Sequence, residues 1–154
     1  MVLATYRYYD PMATASHATT SPTENLDVAR RLYDAMSDRR MDELRDSVTV
    51  DFVGRAAVGL PGGIGGTHRS RDAMIRDCWA VADRKFGAVP IPERMLCADD
   101  DHVVVLGHYT SRNPELPQFH AAFVHVLEIA DGRVGSLVQV TDTREWPTDP
   151  DEQP

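Results

Sequence analysis

Helical spacing in the first half of the chain and β-rich alternation in the second predict an α+β domain, with helices first and antiparallel strands afterwards. Three observations carry this. Leu26, Ala29, Leu32, Tyr33 and Met36 recur at helical spacing behind Thr23 or Asn25, either of which can cap a helix lasting to about Met36. Two β-rich runs, Phe119 to Ile129 and Val134 to Asp142, flank Asp131-Gly132, a pair suited to the positive φ angles of a two-residue hairpin turn. Between the halves lies Gly59-Leu-Pro-Gly-Gly-Ile-Gly-Gly66, a flexible loop able to serve as a lid.

The elements follow in order. A short second helix is predicted from about Met41 to Asp46 and a strand from Thr49 to Arg55. After the glycine run, Ser70 can cap a third helix whose stripe is Ala73, Met74, Asp77, Cys78, Val81 and Ala82. Strands are expected at about 91–98, 102–112, 118–129 and 133–143. Residues 1–22 and 147–154 read as flexible tails, the second acidic, leaving one domain over 23–146. The glycine run is no phosphate loop: counted from Gly63, the third glycine of a dinucleotide fingerprint falls on His68, and no Gly-Lys-Ser/Thr is present.

A two-residue turn at Asp131-Gly132 sets a register. Ile129 then faces Val134, Leu127 faces Ser136, His125 faces Val138, Phe123 faces Val140 and Ala121 faces Asp142. The inward face therefore gathers Phe119, Phe123, Val138 and Val140 around His125 and Asp142, while Gln139, Thr141 and Thr143 turn outward. A histidine and a carboxylate on an apolar face are candidates for proton transfer.

At 154 residues the chain makes one domain with a single core. A formal charge of −8, with Arg39-Arg40 beside Asp38 and Asp42 as the only basic bunch, argues against nucleic acid. No apolar run approaches the roughly 18 residues that span a bilayer, and Met1 to Pro22 lacks a signal peptide's apolar core, so a cytoplasmic protein is expected. Cys78 and Cys97 read as reduced thiols. Metal binding is not expected either. Of the histidines and carboxylates, only His120 and His125 lie at suggestive spacing on one element, and they alternate onto opposite faces.

Several segments then carry a resemblance: Asn25-Leu-Asp-Val-Ala-Arg-Arg-Leu-Tyr33, Met41-Asp-Glu-Leu44, Asp51-Phe-Val53, Pro61-Gly-Gly with Gly66 before Asp72-Ala-Met, and His125 through Arg133-Val134 ending in Asp142-Thr. In this order they resemble the nuclear transport factor 2-like superfamily, and within it the SnoaL-like polyketide cyclase branch, over about residues 25–146. The resemblance implies a cone: about three N-terminal helices packed on a strongly curved antiparallel sheet around a deep apolar pocket. It also implies acid/base catalysis without a cofactor on a hydrophobic, polyketide- or terpenoid-like molecule, by cyclisation, isomerisation or dehydration. A homodimer is expected because the outer face of residues 133–143, with Leu137, Gln139, Thr141 and Thr143, is mixed rather than highly charged. Epoxide opening, and a non-catalytic ligand-binding or dimerisation module, stay open as alternatives.

Residue by residue, Asp142 matches the last-strand carboxylate that looks like the acid/base of the cyclases. His125 matches the inward position that in ketosteroid isomerases holds the proton-donating acid of the oxyanion site, and an imidazole there can still donate a hydrogen bond. The isomerase pattern breaks elsewhere: Asp51 falls one position early for the general base, and Leu32 rather than Tyr33 stands at the first-helix tyrosine. Pocket walls are expected from Tyr33, Trp79, Phe123 and Val140. If Tyr109 pairs with Ala121 it lines the pocket too, whereas a slip by one turns His108 and Arg112 inward instead. Arg112 invites comparison with the Asp-Arg-Asp set of limonene-epoxide-hydrolase-like members, but no second aspartate lies two residues away. His108 with His125 could imitate the paired histidines of scytalone-dehydratase-like members.

Overall fold

The computed structural model describes residues 20–152. The expected N-terminal tail falls, up to residue 19, outside the described residues. Helix α1 (Pro22–Ser37) starts earlier than Thr23 or Asn25 would place it, because Ser21 and Glu24 form a reciprocal capping box with Pro22 in the first turn. Asn25 is instead fully buried, its side-chain amide donating to Asp100 O at 2.8 Å. Helix α2 (Met41–Asp46) and strand β1 (Val48–Ala56) follow, then a short strand β2 (Gly66–Arg69) that the sequence reading missed.

The third helix, α3, runs over 71–86 in three pieces: Arg71–Met74, a π turn at Ile75–Trp79, and Ala80–Phe86. Ser70 caps it, accepting from the N–H of Ala73 at 3.0 Å. The π turn inserts one residue into the helical ladder, with the Ala80 N–H donating to Ile75 O. Ile75, Cys78, Trp79 and Ala82 thereby stay aimed at one cavity. Gly87, at φ 62°, ends the helix in the left-handed conformation.

Strands β3 (Ala88–Cys97), β4 (His102–Ser111), β5 (Ala121–Ala130) and β6 (Arg133–Thr141) complete one curved, unclosed six-stranded sheet in the order β2-β1-β6-β5-β4-β3. It is antiparallel except where β1 runs parallel to β6. Val28, Leu32 and Tyr33 of α1 join Phe52, Met74, Val105, Leu127 and Val134 in the core.

The expected hairpin register holds only next to the turn. Ile129 faces Val134, but Gly135 forms a bulge, so Glu128 faces Ser136, Leu127 faces Leu137 and His125 faces Gln139. A one-residue slip exchanges the faces of every residue beyond it. Leu137, Gln139 and Thr141 therefore point inward, while Val138 and Val140 are 39% and 63% exposed. The C-terminal stretch also departs from a free tail as far as Glu152. Asp149 is buried, with Lys85 Nζ donating to its carboxylate at 2.9 and 2.8 Å.

Candidate functional site

Between α1, α3 and the concave face of the sheet lies a cavity of about 160 Å3 with largely apolar walls, including Leu60, Ile64, Ile75, Trp79 and Leu137. Its polar end is a chain of hydrogen bonds. Tyr33 Oη lies 2.7 Å from His125 Nδ1, Tyr109 Oη lies 2.9 Å from His125 Nε2, and Gln139 Nε2 donates to Tyr109 Oη at 2.7 Å. The Ala57 backbone N–H donates to Gln139 Oε1 at 3.0 Å, which fixes the amide's orientation.

The proton positions follow from satisfaction. Burial pulls His125 down to a pKa of about 3, so the imidazole is neutral and carries one N–H. Burial likewise raises the Tyr33 hydroxyl well above its ordinary value, and among the described residues its polar partner is Nδ1. A buried O–H without an acceptor costs about 1–3 kcal/mol. Tyr33 therefore donates to Nδ1, the imidazole proton sits on Nε2, and Nε2–H donates to Tyr109. Tyr109 Oη then accepts from both His125 and Gln139, and its own proton is left to donate into the cavity that the residue lines. Desolvation keeps that phenol protonated by raising its pKa, with the Gln139 hydrogen bond acting the other way.

The register of β4 puts Tyr109 opposite Ala121, one of the two arrangements the sequence left open. His125, Tyr109, Arg112 and Trp79 line the cavity. Tyr33 and Phe123 stand behind it, their rings parallel at 6.5 Å, with Phe123 stacked on His125 at 4.0 Å. Arg112, beyond the end of β4, closes the rim. It donates to Ser37 O at 2.7 Å and Met36 O at 3.0 Å, capping α1, and its Nε sits 3.2 Å from Asp83 Oδ1. Asp83 also accepts from Arg39 at 2.8 Å.

Three candidates lie elsewhere. His108 and Val140 are on the outer face, because alternation on β4 fixes the first and the Gly135 bulge turns the second. Asp142 is exposed. Its N–H donates to Ala122 O and its carboxylate accepts the Arg144 N–H, both at 3.1 Å, so the bulge has carried it out of the apolar setting the sequence suggested. Gln139 was missed for the same reason, and glycine within a strand was the available signal. Cys78 lines the cavity as an inert thiol, pushed by burial to about 12.

Several known proteins share this architecture. A Sinorhizobium meliloti protein provisionally named a polyketide cyclase is 23% identical, with a TM-score of 0.61 over 74% of this chain and 94% of its own. A nuclear transport factor 2-like protein of unknown function from Burkholderia pseudomallei is 22% identical, with a TM-score of 0.70 over 79% and 93%. TerC, crystallised with polyporic acid, is also 22% identical, with a TM-score of 0.69 over 79% and 93%. No curated protein sequence matches significantly. A SnoaL-like domain model matches residues 29–136, and the chain belongs to that family.

Proposed function

We propose that this protein binds a hydrophobic, carbonyl-bearing small molecule of polyketide or terpenoid type in the cavity and promotes its cyclisation, isomerisation or dehydration without a cofactor. The single observation that carries the reading is the Tyr109 hydroxyl, which accepts two hydrogen bonds and has its proton left for a ligand oxygen. A donor held this way in an apolar site stabilises the negative charge that develops on oxygen when a neighbouring carbon loses a proton. His125 acts through Tyr109 and Tyr33 and is a positioning residue. Asp83, at the rim between Arg39 and Arg112, is the carboxylate within reach of the cavity for moving the proton. The TerC ligand supports an oxygen-bearing apolar compound as the type this fold accepts. Two copies are proposed to pair through the outer sheet face, where Val138 and Val140 leave an apolar strip exposed.

The test uses 1-tetralone and tetralin, which differ in one carbonyl, and then 2-tetralone, whose α-protons exchange with D2O. The protein should bind the ketone about tenfold more tightly than tetralin, and Tyr109→Phe should erase that preference. Exchange of the 2-tetralone α-protons should exceed the buffer rate and fall about 10²–10³-fold in Tyr109→Phe. A second reading, ligand binding without turnover, is favoured by the exposure of Asp142, and tight binding with exchange at the buffer rate would establish it. Equal affinity for ketone and hydrocarbon would sink the Tyr109 assignment.

A further inference from the structure

Three chemistry-bearing side chains meet on the opposite side of the sheet from the cavity. Glu93 sits at the β-bulge between Pro92 and Arg94, which breaks the alternation of β3. His108 is on the neighbouring strand β4, paired on its other side with Ala122 of β5. His120 directly precedes β5. His108 Nδ1 lies 2.5 Å from Glu93 Oε1, the two imidazole rings stack at 4.0 Å, and one donor atom from each of the three residues falls within 4.8 Å of the others.

We infer that Glu93, His108 and His120 form a binding site for a divalent first-row transition metal, zinc foremost. Two imidazoles and one carboxylate are the donor set that such ions prefer, whereas calcium and magnesium select oxygen ligands. At bond lengths of about 2.0–2.2 Å, donors sharing one ion stand up to about 4 Å apart, so modest side-chain rotation closes the set with the backbone in place. Three protein ligands leave a fourth position open to water or an anion.

A surface ion pair beside a ring stack is the plainer account of the same contacts. It explains Glu93 with His108 and the contact of the two rings, but it does not require all three residues to turn a donor atom toward the same point. A second group, Asp99, Asp101 and His102, provides a contrast. It comes from the turn between β3 and β4 and the first residue of β4, and Asp99 Oδ1 already accepts the N–H groups of Asp101 and His102 and contacts the His102 ring, so its donor is spent on closing the turn. Ligands drawn from three elements have no spacing signature in the sequence, which is why metal binding was not anticipated. His120 adjoins Phe119, whose ring lies 5.1 Å from Trp146 on the cavity wall, so a bound ion would tie the 112–120 loop to β3 and β4 beside the cavity rim.

The experiment titrates tag-free protein with Zn2+ and with Co2+, following the Co2+ d–d absorption and the melting temperature. One equivalent should bind and raise the melting temperature, and an excess of Mg2+ should not displace it. His108→Ala and His120→Ala should each weaken Co2+ affinity by more than about tenfold, and Glu93→Gln should weaken it less. Asp99→Asn with His102→Ala should leave it unchanged. Absence of stoichiometric binding, or binding that survives the His108→Ala/His120→Ala double variant, overturns the site. So does loss of binding confined to the Asp99/His102 variant.

Discussion

The two faces of the sheet solve different problems with the same residue type. On the concave face His125 is 3% exposed, held between two tyrosines, and neutral because burial denies it a charge. On the outer face His108 and His120 stack beside Glu93 within reach of solvent. Tyr109 and His108 are adjacent in β4 and yet belong to different sites, as the two-residue period of a strand requires. The difference teaches that a side chain's chemistry here is set by which face it occupies. On β6 that choice is made by one inserted residue, Gly135.

A charge placed on the inward face of β6 is the most forceful way to break the comparison. Leu137 faces Leu127 and is 3% exposed. Leu137→Asp therefore gives up about 1.5–3 kcal/mol of apolar burial and leaves a buried carboxyl without a partner, at about 1–3 kcal/mol more even when protonated. Together these reach the scale of a domain's whole stability, about 5 kcal/mol or more. Urea unfolding of this variant should show a collapsed or absent cooperative transition. A midpoint equal to that of the parent would mean that β6 can adopt either register.

What the sequence disclosed divides along the same line. The helices, the strand order after the glycine run, the Asp131-Gly132 turn and the inward placing of His125 were legible, because helical spacing, alternation and turn chemistry are local. The partner of His125 was not. A bulge obeys no periodicity, and Gly135 shares its place inside a strand with Gly54 and Gly107, so glycine on paper flags β1, β4 and β6 alike. Ser21 caps α1 from inside a stretch whose composition is that of a tail, with Pro22 at a position that suits proline. The Tyr33–His125–Tyr109–Gln139 chain joins α1, β5, β4 and β6, so it exists only once the sheet has curved.

A milder perturbation is pH. His125 has a folded pKa of about 3 against an ordinary 6.5, so below pH 6.5 the unfolded chain takes up a proton that the folded chain refuses. Its contribution to stability is complete above about pH 6.5 and is lost as pH falls toward 3, amounting to about 2 kcal/mol by pH 5. Chemical unfolding at pH 7 and pH 5 should show this loss in the parent. The double variant His125→Phe/Tyr33→Phe, which removes the titrating ring together with the hydroxyl it would orphan, should lose correspondingly less. An unchanged difference between the two pH values in that variant would assign the acid sensitivity to other groups.

The smallest effect should come from Val140, next in sequence to Gln139 but on the other face. Val140 is 63% exposed, and replacing it with Lys should shift the unfolding free energy of the monomer by no more than about 0.5 kcal/mol. Its consequence should appear in assembly. A lysine on the apolar strip with Val138 places an unpaired charge where two copies are proposed to meet, and burying it there would require a partner the strip does not offer. Sedimentation at micromolar concentration should show a dimer for the parent and a monomer for Val140→Lys. A parent that is already monomeric, or a variant that stays dimeric, would remove the outer face as the pairing surface and leave the cavity side of the comparison untouched.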